Sequence, residues 1–266
     1  MTRRLDVELV ARGLARSRAQ ARELVTAGVV LVDGAPATKP ALPVDDTSTL
    51  ELTREPDRWV GRAALKLLRA LDTWPVPVEG RRCLDVGAST GGFTQVLLER
   101  GAAHVTALDV GHGQLAASVA SDPRVTDLPG TNIRDVDTAA LGGPFDLVVS
   151  DLSFISLRIA LPAMHPLVTD DGDLVVLVKP QFEVGRERLS RTGVVTSPHE
   201  HRRVLREVTT LVSGQGLHLH GATASPITGG DGNREFLLWL APRPVPGTSV
   251  TAVDDMLGAI DLEGDL

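Results

Sequence analysis

The segment Leu84-Asp85-Val86-Gly87-Ala88-Ser89-Thr90-Gly91-Gly92-Phe93 constrains the fold of this chain more than any other stretch. An apolar run ends on an acid, three glycines follow, and an amphipathic stretch begins at once. That order reads as strand, tight turn and helix, with glycine letting the backbone come close to a ligand. A dinucleotide site needs G-x-G-x-x-G to seat a pyrophosphate on the helix N-terminus. Here the spacing is G-x-x-x-G-G behind an acid, which repels pyrophosphate and suits the ammonium of S-adenosylmethionine. Asp85, Gly87, Ser89, Thr90, Gly91, Gly92 and Phe93 are therefore candidate cofactor residues. Asp109 ends the next apolar run, where an acid can accept both ribose hydroxyls of an adenosyl group. The bland alternative is a glycine turn that serves helix–strand packing alone.

The rest of the large segment repeats the unit. From Gly61 onward, strand-like runs at 83–86, 104–110, 125–128, 146–152, 174–179, 217–222 and 235–240 alternate with helical patterns near 62–73, 92–100, 114–120, 157–168 and 198–213. Alternation of this kind predicts a mostly parallel sheet with helices on both faces. In that context the glycine loop resembles the S-adenosylmethionine motif of Rossmann-type methyltransferases. The resemblance puts Asn132, in Gly130-Thr131-Asn132-Ile133, near the adenine.

Residues 1–53 read as a smaller α+β unit. Leu5, Leu9, Val10 and Leu14 have helical spacing. Ser17 is the expected N-cap of a second helix, 18–27, which Gly28 stops. Val29–Val32, the turn Asp33-Gly34 and a returning strand form a hairpin signal. Residues 54–60 read as a polar linker in which Trp59 docks on something, and 244–266 as a loosely held acidic tail.

The net charge of −7 argues against a polyanionic partner until its distribution is read. Six arginines fall within the first 22 residues, whereas no basic residue follows Arg243. Arg18 and Arg22 share a helix face, Arg16 precedes it, and the helix N-terminus adds positive potential. Such a cluster fits a phosphate backbone or, equally, a solvated face. Arg3, Arg4, Arg16, Ser17, Arg18, Arg22, Lys39 and Arg62 are the candidate contacts to such a backbone. Arg62 lies on the basic face of the 62–73 helix with Lys66 and Arg69. The stretch Gly185–Pro198 carries Arg186, Arg188 and Arg191 and is expected to be a mobile loop that closes over RNA.

One cysteine, Cys83, excludes a disulfide framework, a cysteine-rich zinc site and an iron–sulfur cluster, and no metal is expected. With no apolar stretch of about 18 residues, a soluble, cytoplasmic protein is expected. The same count narrows the chemistry. Pyrimidine carbon-5 methylation generally needs a cysteine nucleophile, and Cys83 lies inside a strand. Exocyclic-amine methylation usually accompanies a proline-containing loop, where this chain has Asp151-Leu152-Ser153-Phe154. An oxygen nucleophile remains. A ribose 2′-hydroxyl needs a cation or a base beside it, and Lys179, ending an apolar strand one strand beyond Asp151, can supply the cation.

Two resemblances complete the reading. Residues 3–52 resemble the S4 RNA-binding domain on the string RLDVELVARGLARSRAQARELVTAGVVLVDG with Lys39-Pro40 behind it. Lys66 in Gly61-Arg62-Ala63-Ala64-Leu65-Lys66-Leu67, Asp151, Lys179 in Lys179-Pro180-Gln181-Phe182-Glu183 and Glu235 in Asn233-Arg234-Glu235-Phe236 resemble the K-D-K-E tetrad of FtsJ-like 2′-O-ribose methyltransferases. Together, up to about Arg243, they resemble the haemolysin-A (TlyA-type) family. That resemblance implies a Rossmann-like methyltransferase behind a small S4-like domain, acting on cytidines of small- and large-subunit ribosomal RNA. It implies that Lys179 perturbs the hydroxyl while Asp151, Lys66 and Glu235 hold the arrangement. No obligatory protein partner is expected. Val60-Gly61-Arg62 departs from the family's Ser-Arg-Gly-Gly-like run without touching the tetrad.

Overall fold

The computed structural model describes residues 2–15, 18–54, 58–245, 250–260 and 262. The expected roles of Arg16 and Ser17 and the middle of the linker at Pro56 lie outside the described residues. Contacts divide the chain into two units, Met1–Arg58 and Trp59–Leu266.

In the first unit, β1 (Arg3–Arg4) leads into α1 (Leu5–Ala11) and α2 (Arg18–Thr26). Leu5, Leu9, Ala21 and Val25 face inward from the two helices and are buried, and Gly28 ends the second turn at φ +71°. β2 (Val30–Val32) pairs with β3 (Ala35–Pro36) across Asp33-Gly34. Both turn residues have positive φ, which matches the strands' twist. β4 (Pro43–Val44) pairs with β1, and β5 (Leu50–Leu52) with the other edge of β2. Sequence reading misses the β1–β4 pair, because two residues carry no alternation to recognise.

The second unit starts with α3 (Ala64–Thr73) and continues through β6 (Arg82–Val86), α4 (Gly92–Glu99), β7 (His104–Leu108), α5 (Ala117–Ala120), β8 (Val125–Leu128), β9 (Phe145–Ser150), α6 (Leu157–Met164), β10 (Val168–Val178), α7 (Pro180–Glu183), α8 (Pro198–Gly214), β11 (His218–Ala224) and β12 (Phe236–Ala241). The seven strands form one sheet in the order β11-β12-β10-β9-β6-β7-β8. β8 through β10 are parallel, while β12 inserts antiparallel between β10 and β11. Apolar clusters cover both faces, one built on Val148, Val176 and Leu238 and the other on Val149, Val175 and Leu237. The alternation of strand side chains thus fills two layers from one sheet.

This topology puts the candidate residues along one edge. Gly87, Asp109, Asp151 and Lys179 each follow the last residue of a parallel strand. Glu235 precedes β12, whose reversed direction brings its start to the same edge.

Two expectations need correction. β10 begins at Val168 and not at Leu174. Its polar start is held because buried Asp173 accepts hydrogen bonds from Arg81 and Trp239, each at 2.8 Å, and from Arg243. The expected loose tail contains α9 (Val250–Gly258), which packs on α8 and β11 and buries Leu257, with Ile260 and Leu262 beyond it. Its apolar residues, scattered among acids, hide that face from composition. The end of the linker region folds down: Trp59, expected to dock, and Val60 pack against the cluster of Leu67 and Phe93, and the Val60 N–H donates to Gln95 Oε1 at 2.8 Å.

Candidate active site

Two cavities open along the carboxyl edge of the sheet. One of about 580 Å³ is lined by Asp109, Asn132 and Phe154 among others, and one of about 310 Å³ by Arg62, Thr90 and Lys179. Gly87, Ser89, Asp151 and Ser153 line both and form the wall between them.

The glycine loop has the shape its composition demands. Gly87 has φ +85°, and a Cβ there would lie 2.9 Å from the Asp151 carbonyl oxygen. Gly91 has φ +91°, and a Cβ there would meet Leu115 at 2.7 Å. Asp109 is fixed by two backbone donors, Ser89 N–H to Oδ2 and Gly111 N–H to Oδ1, both at 2.8 Å. Each oxygen keeps a lone pair, so a diol can still be accepted. Asn132 Oδ1 accepts the Arg134 N–H at 3.1 Å, which leaves its amide N–H₂ for a ligand. Open backbone, a fixed carboxylate and a nearby amide fit an adenosyl group.

Asp85 does not line either cavity. Its strand position turns the carboxylate inward onto α4, where Oδ2 accepts the Thr94 hydroxyl at 2.7 Å, and the residue is fully buried. Burial pushes its pKa up to about 7 against the opposing Thr94 hydrogen bonds. Direct contact with a cofactor ammonium is therefore not what the structure has; Asp85 underpins the loop.

The four residues of the tetrad come together although the sequence separates them widely. Lys66 Nζ lies 2.9 Å from Asp151 Oδ2 and 2.7 Å from Glu235 Oε2. Lys179 Nζ lies 2.7 Å from Asp151 Oδ1 and 4.0 Å from Glu235 Oε1. The Asp151 Oδ1 contact is an ion pair off the hydrogen-bonding direction, whereas Lys179 donates properly to Ser153 Oγ at 2.8 Å. Two cations against two anions make a neutral buried set. Burial opposes the Lys66 charge, but Asp151 and Glu235 outweigh it and raise its pKa. Burial likewise opposes the Asp151 charge, and Lys179 and Lys66 outweigh it and lower the pKa.

Motif reading misses three neighbours. Ser153 is the hydrogen-bond acceptor of Lys179. Glu183 is buried and accepts the Ser156 hydroxyl and the Leu157 N–H, each at 2.7 Å. It thereby ties the loop that carries Asp151 to the turn that carries Lys179. Phe154 is 91% exposed, with φ +64°, and its ring lies 5.4 Å from that of Phe182. A bulky residue in the left-handed region is costly and uncommon. No periodicity signals it.

In the first unit the arginines gather on two buried acids. Arg4, Arg18 and Arg22 reach Asp6 at 3.0–3.2 Å, and Arg3 and Arg12 reach Glu8 at 3.5 and 2.9 Å. The Arg4 hydrogen bond, helped by Arg18 and Arg22 and opposed by burial, holds the Asp6 carboxyl well below the usual carboxylate range. Lys39 is exposed on the same unit. Arg62 is not on a helix: it precedes α3 and lines the smaller cavity of the second unit. Among the described residues, no helix is long and apolar enough to cross a membrane.

These features recur in known proteins. The FtsJ-like methyltransferase model matches residues 59–241, and the S4 domain model matches residues 3–49. The chain is 50% identical over 262 residues to the 16S/23S rRNA (cytidine-2′-O)-methyltransferase TlyA of Mycobacterium tuberculosis, covering 98% of each chain. It is 33% identical to the 23S rRNA (cytidine-2′-O)-methyltransferase TlyA of Campylobacter jejuni, covering 73% of this chain and 75% of that one. A solved haemolysin structure from Streptococcus thermophilus superimposes with a TM-score of 0.71 at 38% identity, covering 97% and 94% of the two chains. The chain belongs to the FtsJ-like methyltransferases, in the haemolysin-A (TlyA-type) group that carries an S4 domain in front.

Proposed function

We propose that this protein binds S-adenosylmethionine and methylates the ribose 2′-hydroxyl of cytidine in both ribosomal RNAs. The observation that carries the reading is Asp151 held between two ammonium groups, at 2.7 and 2.9 Å, on the wall shared by the two cavities. The M. tuberculosis relative, which matches from end to end, is named for both RNAs, and this favours both over one. An RNA-gripping unit stands ahead of the methyltransferase unit, and ribosomal RNA in the cytoplasm is the expected partner.

When bound, S-adenosylmethionine supplies an electrophilic methyl carbon on a sulfonium. Asp109 would hold the ribose diol, Asn132 the adenine edge, and the Gly87–Gly92 backbone the amino-acid end. The remaining task is to align the 2′-oxygen and raise its nucleophilicity. Lys179 Nζ faces the smaller cavity and, with Ser153 and Asp151 fixing it, can stabilise negative charge as it grows on that oxygen. Asp151 orients both lysines. Lys66 and Glu235 balance the set, so no net charge is buried. Phe154, at the mouth, offers a ring on which a displaced base can stack.

The test is to map 2′-O-methyl marks on ribosomal RNA from cells with and without the gene. Marks on cytidines of both RNAs that vanish on deletion are expected. Identical maps would remove the reading.

A further inference from the structure

The Gly185–Pro198 stretch is not a free lid. Val195 is buried, its N–H donates to Asn233 Oδ1 at 2.9 Å, and its carbonyl pairs with His201 Nε2 at 2.9 Å. Asn233 Nδ2 donates to the Gly193 carbonyl at 3.0 Å, so both ends of one 1%-exposed amide hold this segment. Ser190 Oγ closes the turn, donating to the Val194 carbonyl at 2.8 Å. At the other end Val184 is buried and follows α7 directly.

The turn between these fixed ends therefore stands on two tetrad-bearing segments. One foot follows Lys179 by five residues; the other is clasped by Asn233, two residues before Glu235. What the turn presents is charge. Arg186, Arg188 and Arg191 are exposed, with Glu187 the one acid among residues 185–192. Arg188 has a long 3.5 Å contact with Glu200, while Arg186 and Arg191 have no ion pair among the described residues. Guanidinium groups so placed suit phosphates rather than base edges.

We infer that the Gly185–Thr192 turn is an RNA-binding surface of the methyltransferase unit, which takes phosphodiesters flanking the target nucleotide. We further infer that Asn233 is the positioning residue joining that surface to Glu235. The inference rests on the proposed RNA substrate and deepens it. A cation row on a fixed turn gives register along the strand, which a loose lid cannot.

The test uses the full-length protein with ribosomal subunits that lack the modification. Replacing Arg186, Arg188 and Arg191 together with Ala should weaken subunit binding by about tenfold or more. It should also make the slope of log affinity against log salt shallower by about 2, given ~0.7–0.9 per phosphate contact. S-adenosylmethionine affinity should stay within about twofold. Asn233→Ala should lower the methyl-transfer rate at saturating subunits while S-adenosylmethionine still binds. Unchanged affinity and salt slope in the triple variant of an active enzyme would overturn the proposal. So would an Asn233→Ala rate equal to wild type. If the wild type leaves ribose unmethylated yet its RNA salt slope flattens in the triple variant, the surface stands and the reaction reading falls.

Discussion

The chain gathers cations around carboxylates twice, and the two gatherings do opposite things. In the tetrad two ammoniums meet two carboxylates, and all four side chains are at most 11% exposed. In the first unit, among the described residues, five guanidiniums gather on the two carboxylates of Asp6 and Glu8, with Arg4, Arg18 and Arg22 about half exposed. A balanced, buried set has no charge to spare and acts on one atom at close range in a low dielectric. An unbalanced, exposed set keeps a surplus of positive charge, acts through water over a Debye length, and is weakened by salt. The acids serve both sets as scaffolding, holding the cations in place before any substrate arrives.

The sharpest break of that comparison is Lys179→Ala. Single-turnover methylation should fall by ~10²-fold or more, as when one oxyanion donor is lost. S-adenosylmethionine and RNA should bind nearly as before, because Lys66 still pairs with Asp151. Lys179→Arg should recover only part of the rate, since a planar fork does not replace a compact ammonium. Near-wild-type turnover in Lys179→Ala would return the lysine to an ordinary strand end.

Asp109→Ala comes next. Losing a charged acceptor for the ribose should cost about 1.5–3 kcal/mol of cofactor affinity by calorimetry. Unchanged affinity would unseat Asp109.

Replacing Arg18 and Arg22 with Ala should weaken RNA binding by roughly tenfold and flatten its salt dependence, with cofactor affinity intact. Arg4 still satisfies Asp6, so folding should hold. RNA affinity that survives would make the arginine face scaffold only.

The smallest effect tests the acid beneath the cofactor loop. Burial pushes the Asp85 pKa up to about 7 from 3.8 for the free group, and among the described residues Asp85 Oδ1 has no hydrogen-bond partner. An acid whose folded pKa is raised costs stability in full above pH 7, and the cost fades as pH falls towards 4. Asp85→Asn should therefore raise the melting temperature by a few degrees at pH 8 and by nothing near pH 4. Loss of cofactor binding with no such gain would restore Asp85 as a ligand contact.

The sheet edge was legible because β6, β7 and β10 each close on apolar residues that a glycine or a charged residue follows at once. The tetrad was legible through its motifs. What sequence could not show is which way a side chain turns. Asp85 looks like a ligand residue in the string and faces α4 in the fold. Glu183 and Asn233 look like motif filler and prove to be clasps. Such roles depend on partners tens of residues away, for which periodicity has no signal. Short pieces such as β1 and α7 fall below the length at which a pattern repeats.

The antiparallel insertion of β12 sets an order of assembly. Synthesis delivers Lys66 first and Glu235 last, and β10 has no neighbour on its outer side until Phe236–Ala241 arrives. Before then the nascent chain shows Leu174–Val178 as a bare apolar edge, with unpaired backbone groups that invite another strand. It also holds two lysines against a single aspartate. The ribosome must therefore release nearly the whole polypeptide before the site closes and the exposed edge is sealed. Chains cut short before residue 241 should clump rather than act as slow enzymes, which makes the last strand the point at which quality control can tell a finished molecule from an unfinished one.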